Sequence, residues 1–167
     1  MGLVTLAEKY SMERALPHTT WCYVCGEDNP LGHKVIFKAD GEMVRVRHTP
    51  EVHHQSYKGI VHGGVLCTIL DETMGWAPSL KANRMFVTGE LTMRFLKPFP
   101  IGKEMIVEAW PVRVARRLAL VEGKIRDEEG TVYVTANGKF LPLSEEESKA
   151  VDRELIYAPD TISLFGA

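Results

Sequence analysis

The stretch that decides the fold is Gly63-Gly-Val-Leu-Cys-Thr-Ile-Leu-Asp-Glu-Thr-Met-Gly-Trp-Ala77. Its core-facing residues recur at intervals of three and four, which is the spacing of one face of an α-helix. They are Leu66, Ile69, Leu70, Thr73, Met74 and Ala77. The pattern predicts a helix from Gly63 to about Ala77, and Pro78 predicts its end because proline lacks the N–H that continues a helix.

Segments on both sides of this helix alternate polar and apolar residues and predict β-strands. They lie at residues 34–38, 43–48, 85–96, 104–114, 118–127 and 132–141. Residues 144–153 begin with Ser-Glu-Glu-Glu, which is typical of the start of a short helix. One long helix cannot supply the crossover connections of a parallel sheet. We therefore predict an α+β fold in which a curved, largely antiparallel sheet of about six strands wraps around one long central helix.

The composition is that of an ordinary globular domain, with 167 residues, 45% hydrophobic and 25% charged. A net charge of -2 gives no basic excess for a nucleic-acid partner. The apolar runs are too short to span a bilayer, and residues 1–16 lack the continuous apolar stretch of a secretory signal. We expect a cytoplasmic protein without nucleic-acid or membrane partners.

Three cysteines, an odd number, do not form a disulfide framework, so reduced thiols are expected. Cys22 and Cys25 form a Cys-x-x-Cys pair with His18 and His33 nearby, which raises a zinc interpretation. There is only one such pair, and no second pair of ligands has a standard zinc spacing. This favours a structural loop, and we expect no metal site.

One face of the predicted helix bears a carboxylate among small residues, because Gly64, Thr68, Asp71 and Gly75 follow one another at spacings of four, three and four. An acidic side chain in a buried helix is costly unless it is paired or used. Burial would also raise its pKa, which suits a general base. Alternatively, Asp71 is only hydrogen-bonded to a backbone amide or an arginine. The residues alone leave both interpretations open.

The helix start, His62-Gly63-Gly64, gives up helix propensity for close backbone approach. The N–H groups of a first helical turn have no intrahelical partners and lie at the positive end of the helix dipole. They can therefore form an oxyanion hole. Tight packing of the helix start on a strand would explain the glycines but not the distant Asp71.

The segment Gly59-Ile-Val-His62-Gly-Gly-Val-Leu-Cys-Thr-Ile-Leu-Asp71-Glu-Thr-Met-Gly75 resembles the signature of hot-dog-fold acyl-CoA thioesterases of the phenylacetate-pathway (PaaI-like) type. The resemblance extends through residues 88–98, Thr-Gly-Glu-Leu-Thr-Met-Arg-Phe-Leu-Lys-Pro. It implies a hot-dog domain at residues 34–143, preceded by an arm and the Cys-x-x-Cys loop at 1–33. A C-terminal helix and tail follow at 144–167, within a single domain overall.

The resemblance also implies hydrolysis of an acyl-CoA thioester to a carboxylate and free coenzyme A, with no metal or organic cofactor. Asp71 corresponds to the catalytic base or nucleophile, and the backbone N–H of Gly63 to the group that polarises the thioester carbonyl. His62 and Gly64 complete the catalytic helix start. Thr88 corresponds to an assisting hydroxyl residue.

Further residues are expected to contact the substrate. Ser56 occupies the position, six residues before the His, where many relatives have a polar side chain. Glu72 points about 100° away from its neighbour around the helix and is expected to have a secondary role, such as hydrogen-bonding the loop. Cationic side chains suited to the phosphates of coenzyme A are Arg94, Arg116 and Arg117. For any one arginine, a solvated charged edge is the alternative.

The spacing of Gly63 and Asp71 adds an argument from geometry. They are eight residues apart on one helix, or about 12 Å along its axis. A thioester carbon needs its base or nucleophile within about 3–3.5 Å and its oxyanion donors at hydrogen-bond distance. The site must therefore combine Gly63 of one subunit with Asp71 of another, which predicts an obligate homodimer and leaves a homotetramer open.

The acyl pocket is expected to be lined partly by Met74, Trp76, Met85 and Phe86, which suggests an apolar or aromatic acyl group. Two other functions remain open: a non-catalytic domain that binds or senses acyl-CoA, and an acyl-thioester dehydratase or hydratase. The sequence motif argues against both.

Overall fold

The computed structural model describes residues 13–165. The strands are β1 (Arg14–Ala15), β2 (Lys38–Asp40), β3 (Met43–His48), β4 (Phe86–Phe95), β5 (Met105–Val114), β6 (Ala119–Arg126) and β7 (Val132–Pro142). The α-helices are α1 (Gly63–Ala82) and α2 (Glu145–Asp152), and a 3-10 turn spans Val52–His54.

One seven-stranded sheet, in the order β1-β2-β3-β5-β6-β7-β4, contains every described strand, and all neighbours are antiparallel. Helix α1 joins β3 to β4 and packs against β3, β4, β5, β6 and β7. The predicted α+β architecture is confirmed. The sheet has seven strands rather than about six because Arg14–Ala15 adds a short edge strand to β2.

The first predicted strand, residues 34–38, is wrong in its position, because β2 spans Lys38–Asp40. Val35 and Phe37 are buried as their alternation requires. Their backbones nevertheless bond to the N-terminal segment, since the Val35 N–H donates to the Val24 carbonyl and the Phe37 carbonyl accepts from Leu16. The alternation of polar and apolar residues therefore identified the buried side chains correctly. It could not specify which segment the backbone of residues 34–38 would hydrogen-bond.

The predicted end of the long helix at Pro78 is also wrong, because α1 continues to Ala82. Asn83, in the left-handed region with φ 49°, caps the helix by donating its N–H to the Ser79 carbonyl at 3.1 Å. Proline removes one backbone hydrogen bond, but Ala77, Pro78 and Ser79 are all buried. Tertiary packing therefore offsets the cost of this proline.

The short C-terminal helix begins as predicted. Ser144 is its N-cap, and its hydroxyl accepts the Glu147 N–H at 3.1 Å while the Glu147 carboxylate accepts the Ser144 N–H at 2.8 Å. Most of the predicted N-terminal arm, residues 1–12, lies outside the described residues. Within residues 13–165, no helix combines the length and apolarity that crossing a membrane requires.

The sheet closes tightly on the buried face of α1 at Gly123 in β6. Leu70 and Met74 of α1 are fully buried there. A Cβ on Gly123 would lie 2.9 Å from Leu70 Cδ1 and 3.0 Å from Met74 Cγ. A residue without a side chain is therefore what allows helix and sheet to approach this closely.

We expect Gly123→Ala to lower the free energy of unfolding by about 1–3 kcal/mol, because the added methyl group overpacks the core. Urea denaturation followed by circular dichroism measures this effect. Gly75→Ala is the matched control, since its Cβ would only contact Phe140 Cε1 at 3.7 Å. Equal stability of the two variants would contradict the tight approach at Gly123.

Candidate active site

Asp71 of α1 and Thr88 of β4 form the centre of the candidate site. The Thr88 hydroxyl donates a hydrogen bond to Asp71 Oδ1 at 2.8 Å. The register between β4 and β7 shifts directly after Thr88, because Thr88 pairs with Phe140 and Glu90 with Lys139. Such a β-bulge changes the direction of neighbouring side chains. The structure thus brings together two predicted site residues that lie 17 positions apart.

Asp71 borders a cavity of about 360 Å³. It is half-buried, because this side of the helix opens into the cavity. The apolar wall includes Trp76, Met85 and Phe86, three of the four residues predicted for the acyl pocket. The fourth, Met74, is fully buried in the core between α1 and the sheet.

The start of α1 offers one free backbone donor. His62 is the N-cap, and its Nδ1 accepts the Gly64 N–H at 2.9 Å. The N–H groups of Val65 and Leu66 donate to the His62 carbonyl. The Gly63 N–H has no partner among residues 13–165. The His62 imidazole therefore accepts the Gly64 N–H, and the Gly63 N–H is left available to bind a ligand oxygen.

Gly63 and the Asp71–Thr88 pair lie at opposite ends of the contact between α1 and β4. A Cβ on Gly63 would contact the Phe95 ring at 3.5 Å, at the last residue of β4. Asp71 instead contacts Thr88 near the beginning of β4. Helix and strand therefore run in opposite directions. The two groups are eight positions apart on the helix, which separates them by about 12 Å within one chain.

The three predicted phosphate-binding arginines are not brought together within one chain. Arg116 and Arg117 lie in the turn between β5 and β6. This turn is at the same end of the sheet as Thr88, because Ala119 at the start of β6 pairs with Phe140 of β7, which in turn pairs with Thr88 of β4. Arg94 lies near the opposite end of β4, beside the Phe95 that contacts the helix start. All three are exposed and make no ion pair or side-chain hydrogen bond with the rest of the described chain.

Ser56 lies on the Gly63 side of the site and is exposed. Its N–H donates to the Ile60 carbonyl at 2.8 Å. The adjacent Gln55 forms an isolated bridge with Val61, directly before His62. Ser56 is therefore close in the chain to the helix start rather than to Asp71.

The central part of the chain, residues 58–134, matches the family model of the thioesterase superfamily. The match includes the helix start, Asp71 and Thr88. This part of the chain is thus similar to the thioesterase superfamily. The crystal structure of protein RHA08564, a thioesterase superfamily protein, has the same fold with a TM-score of 0.68 and 28% identity, covering 73% of this chain and 60% of that one.

Two further proteins are similar to this chain. The mouse (Mus musculus) acyl-coenzyme A thioesterase THEM4 is 30% identical over 97 residues, which are 58% of this chain and 41% of the mouse protein. The matched part of this chain thus spans about two fifths of the length of the curated relatives. The E. coli PaaI protein from the phenylacetic acid degradation operon has the same fold, with a TM-score of 0.62, 17% identity and coverage of 67% and 81%.

Glu72 of α1 points away from Asp71 and contacts the N-terminal loop. Its Oε2 accepts a hydrogen bond from Cys22 at 3.1 Å, and its Oε1 accepts one from Cys25 at 3.3 Å. Burial, together with the nearby Cys22, raises the pKa of Glu72 to about 8. The expected contact of Glu72 with the loop is present, but the sequence did not indicate that both cysteines are its partners.

A cluster of three histidines was not predicted by the sequence. His33, His48 and His54 have ring centroids 4.6–5.6 Å apart. Both ring nitrogens of His33 and Nε2 of His48 are buried without a hydrogen-bond partner. Burial and the neighbouring histidines lower the pKa of His33 and of His48 to about 4. These two rings are therefore neutral at pH 7.

Proposed function

We propose that the protein hydrolyses an acyl-CoA thioester to a free carboxylate and coenzyme A. The observation that carries this proposal is the Asp71 carboxylate, oriented by Thr88 at the edge of a largely apolar cavity. The match to the thioesterase superfamily and the similarity to a mouse acyl-coenzyme A thioesterase support it. The free Gly63 N–H supplies the donor that a developing oxyanion requires.

Asp71 would act in one of two ways. As a general base it takes a proton from water while the water oxygen bonds to the carbonyl carbon; the C–S bond then breaks and the proton passes to the departing thiolate. As a nucleophile it bonds to the carbonyl carbon, expels the thiolate and leaves a mixed anhydride that water hydrolyses. In both routes the hydrogen bond from Thr88 fixes Oδ1, and Oδ2 faces the reacting atom.

The complete site would be formed by two subunits. Strand β4 is an edge strand, with unpaired backbone groups on its outer side. It also exposes large apolar side chains, since Val87 and Phe95 are 48% and 53% exposed. Antiparallel pairing of two β4 strands about a two-fold axis would place the Thr88 end of one chain beside the Phe95 end of the other. Asp71 would then approach the partner's Gly63.

The same arrangement accounts for the separated arginines. Arg116 and Arg117 lie at the Thr88 end of the sheet, whereas Arg94 lies at the Phe95 end. Pairing of the two β4 strands brings these two ends together across the interface. The phosphates of one coenzyme A would therefore be bound by Arg116 and Arg117 of one subunit and the partner's Arg94.

Thiol release from a panel of short-chain, medium-chain and aromatic acyl-CoAs tests the proposed function. We expect turnover to be fastest with an apolar or aromatic acyl group, because Trp76, Met85 and Phe86 line the cavity. Binding of acyl-CoA without turnover would contradict hydrolysis and indicate a binding or sensing domain.

Thr88→Val is expected to lower kcat by about tenfold to hundredfold, because the variant removes a hydrogen bond to a charged carboxylate while preserving side-chain shape. Thr92→Val is the matched control in the same strand, since Thr92 is exposed and its hydroxyl makes no hydrogen bond within the described chain. Steady-state thiol release measures both variants. A Thr88→Val enzyme with the kcat of the control would show that Thr88 does not orient Asp71.

A further inference from the structure

The Cys-x-x-Cys loop folds into a tight knuckle whose two sulfurs face α1. Cys22 Sγ accepts the backbone N–H of Val24 at 3.2 Å and that of Cys25 at 3.5 Å. The Gly26 N–H closes the turn by donating to the Cys22 carbonyl at 2.9 Å. A Cβ on Gly26 would lie 2.4 Å from that carbonyl oxygen, so only glycine fits there. Backbone N–H groups directed at a sulfur favour its thiolate form.

Three acidic groups meet where this knuckle contacts the helix. The sulfurs of Cys22 and Cys25 lie 3.1 Å and 3.3 Å from separate oxygens of Glu72, and the three ligand atoms all lie within 4.8 Å of one another. No lysine or arginine in residues 13–165 forms an ion pair with Glu72. Thiol and carboxyl groups that converge in a partly buried place are held together by shared protons, and a cation can replace those protons.

We propose that Cys22, Cys25 and Glu72 bind one divalent cation, with Zn²⁺ as the preferred ion. Thiolate ligands favour zinc over the hard cations magnesium and calcium. With Zn–S bonds of about 2.3 Å and a Zn–O bond of about 2.1 Å, tetrahedral geometry places sulfur and oxygen about 3.6 Å apart. Each sulfur now lies 3.1 Å or 3.3 Å from a different oxygen of Glu72, within about half an ångström of that separation.

The proposed site has three protein ligands and leaves one position open. Cys25 and Glu72 both line the cavity that contains Asp71, so water from the cavity can complete the tetrahedron. Binding forms two Zn–S bonds and one Zn–O bond, and the protons held by the two thiols and the Glu72 carboxyl are released to solvent. The ion would fix the N-terminal loop to α1 at the residue that follows Asp71. This inference does not depend on the proposed hydrolase activity.

The histidine cluster fits a metal less well. Nδ1 of His54 accepts the Glu51 N–H at 3.0 Å, so in the neutral ring Nε2 carries the proton and offers no lone pair. His33 and His48 alone supply too few ligands for a stable zinc site. At the cysteine site, by contrast, the two sulfurs of the knuckle and a Glu72 oxygen are three usable ligand atoms within 4.8 Å of one another.

The experiment is elemental analysis of the full chain, purified with reduced thiols, supplied with Zn²⁺ and freed of unbound ion. We expect about one zinc per chain in the wild type, and a loss to below about a tenth of that value in Cys22→Ser and in Cys25→Ser. Cys67→Ser is the matched control, because Cys67 lies on the same helix outside the cluster, and it should retain the metal.

Titration of the wild type with Co²⁺ provides a measurement that does not depend on a variant folding correctly. Two thiolate ligands give an intense sulfur-to-cobalt charge-transfer band in the near ultraviolet, which added Zn²⁺ removes. The proposal is overturned if the reduced wild type takes up neither ion. It is also overturned if Cys22→Ser and Cys25→Ser retain the metal, and loss of the metal only in His33→Ala would assign it to the histidine cluster.

Discussion

Asp71→Asn is expected to lower kcat for acyl-CoA hydrolysis by about 10³-fold or more, because an amide is neither a proton acceptor nor a nucleophile of useful strength. The substitution is nearly isosteric, and the amide oxygen can still accept the hydrogen bond from Thr88. The cavity and the fold should therefore persist. Thiol release at saturating acyl-CoA measures the effect, and circular dichroism with gel filtration verifies folding and assembly.

The matched control for this variant is Asp40→Asn. Asp40 is exposed at the end of β2, and its carboxylate makes no hydrogen bond within the described residues. This variant should have wild-type activity. If Asp71→Asn retains kcat within about tenfold of the control, Asp71 is neither the base nor the nucleophile.

Gly63→Pro is expected to inactivate the protein by removing the proposed oxyanion donor rather than the proposed base or nucleophile. Gly63 is the first residue of α1, the position where proline is tolerated, and His62 before it has the extended ψ of 132° that a following proline requires. The substitution removes the backbone N–H proposed to bind the oxyanion, and loss of such a donor lowers kcat by about 10²–10³-fold. Gly63→Ala retains the N–H and should remain active, because its Cβ contacts Phe95 at an ordinary 3.5 Å.

Mixing the two inactive proteins should restore activity. In a dimer of one Gly63→Pro chain and one Asp71→Asn chain, one of the two sites combines an intact Gly63 with an intact Asp71. After random exchange half of the dimers are mixed, so the expected recovery is about a quarter of the wild-type activity. Exchange is verified with a mass label on one chain. Exchanged but inactive mixed dimers would contradict the site shared between subunits.

The sequence predicted those parts of the fold that depend on local periodicity. Strands β4 to β7 and the start of α1 lie where the alternation and the three-to-four spacing placed them. The end of α1 was misplaced because the cost of Pro78 is local, whereas the burial that offsets it comes from the sheet. β2 was misplaced because alternation identifies buried side chains but not the partners of the backbone.

The candidate site also contains residues that the sequence predicted and contacts that it did not. Asp71 and Thr88 were predicted from a motif, and the structure adds their hydrogen bond. The contacts of Glu72 with Cys22 and Cys25 join residues 50 and 47 positions apart, and no spacing rule encodes such distances. A periodic pattern indicates which face of a helix a residue occupies. It does not indicate which loop will cover that face.

The two edges of the sheet differ in length, and this difference limits assembly. Within the described chain, β4 presents ten residues at one edge, whereas β1 at the other edge has only two. In the proposed dimer, the β4 strands of the two subunits pair with each other. The edge that remains free in each subunit is β1, which is too short to pair with a further strand. Growth by strand addition would therefore end after one step, giving a closed pair rather than a fibre.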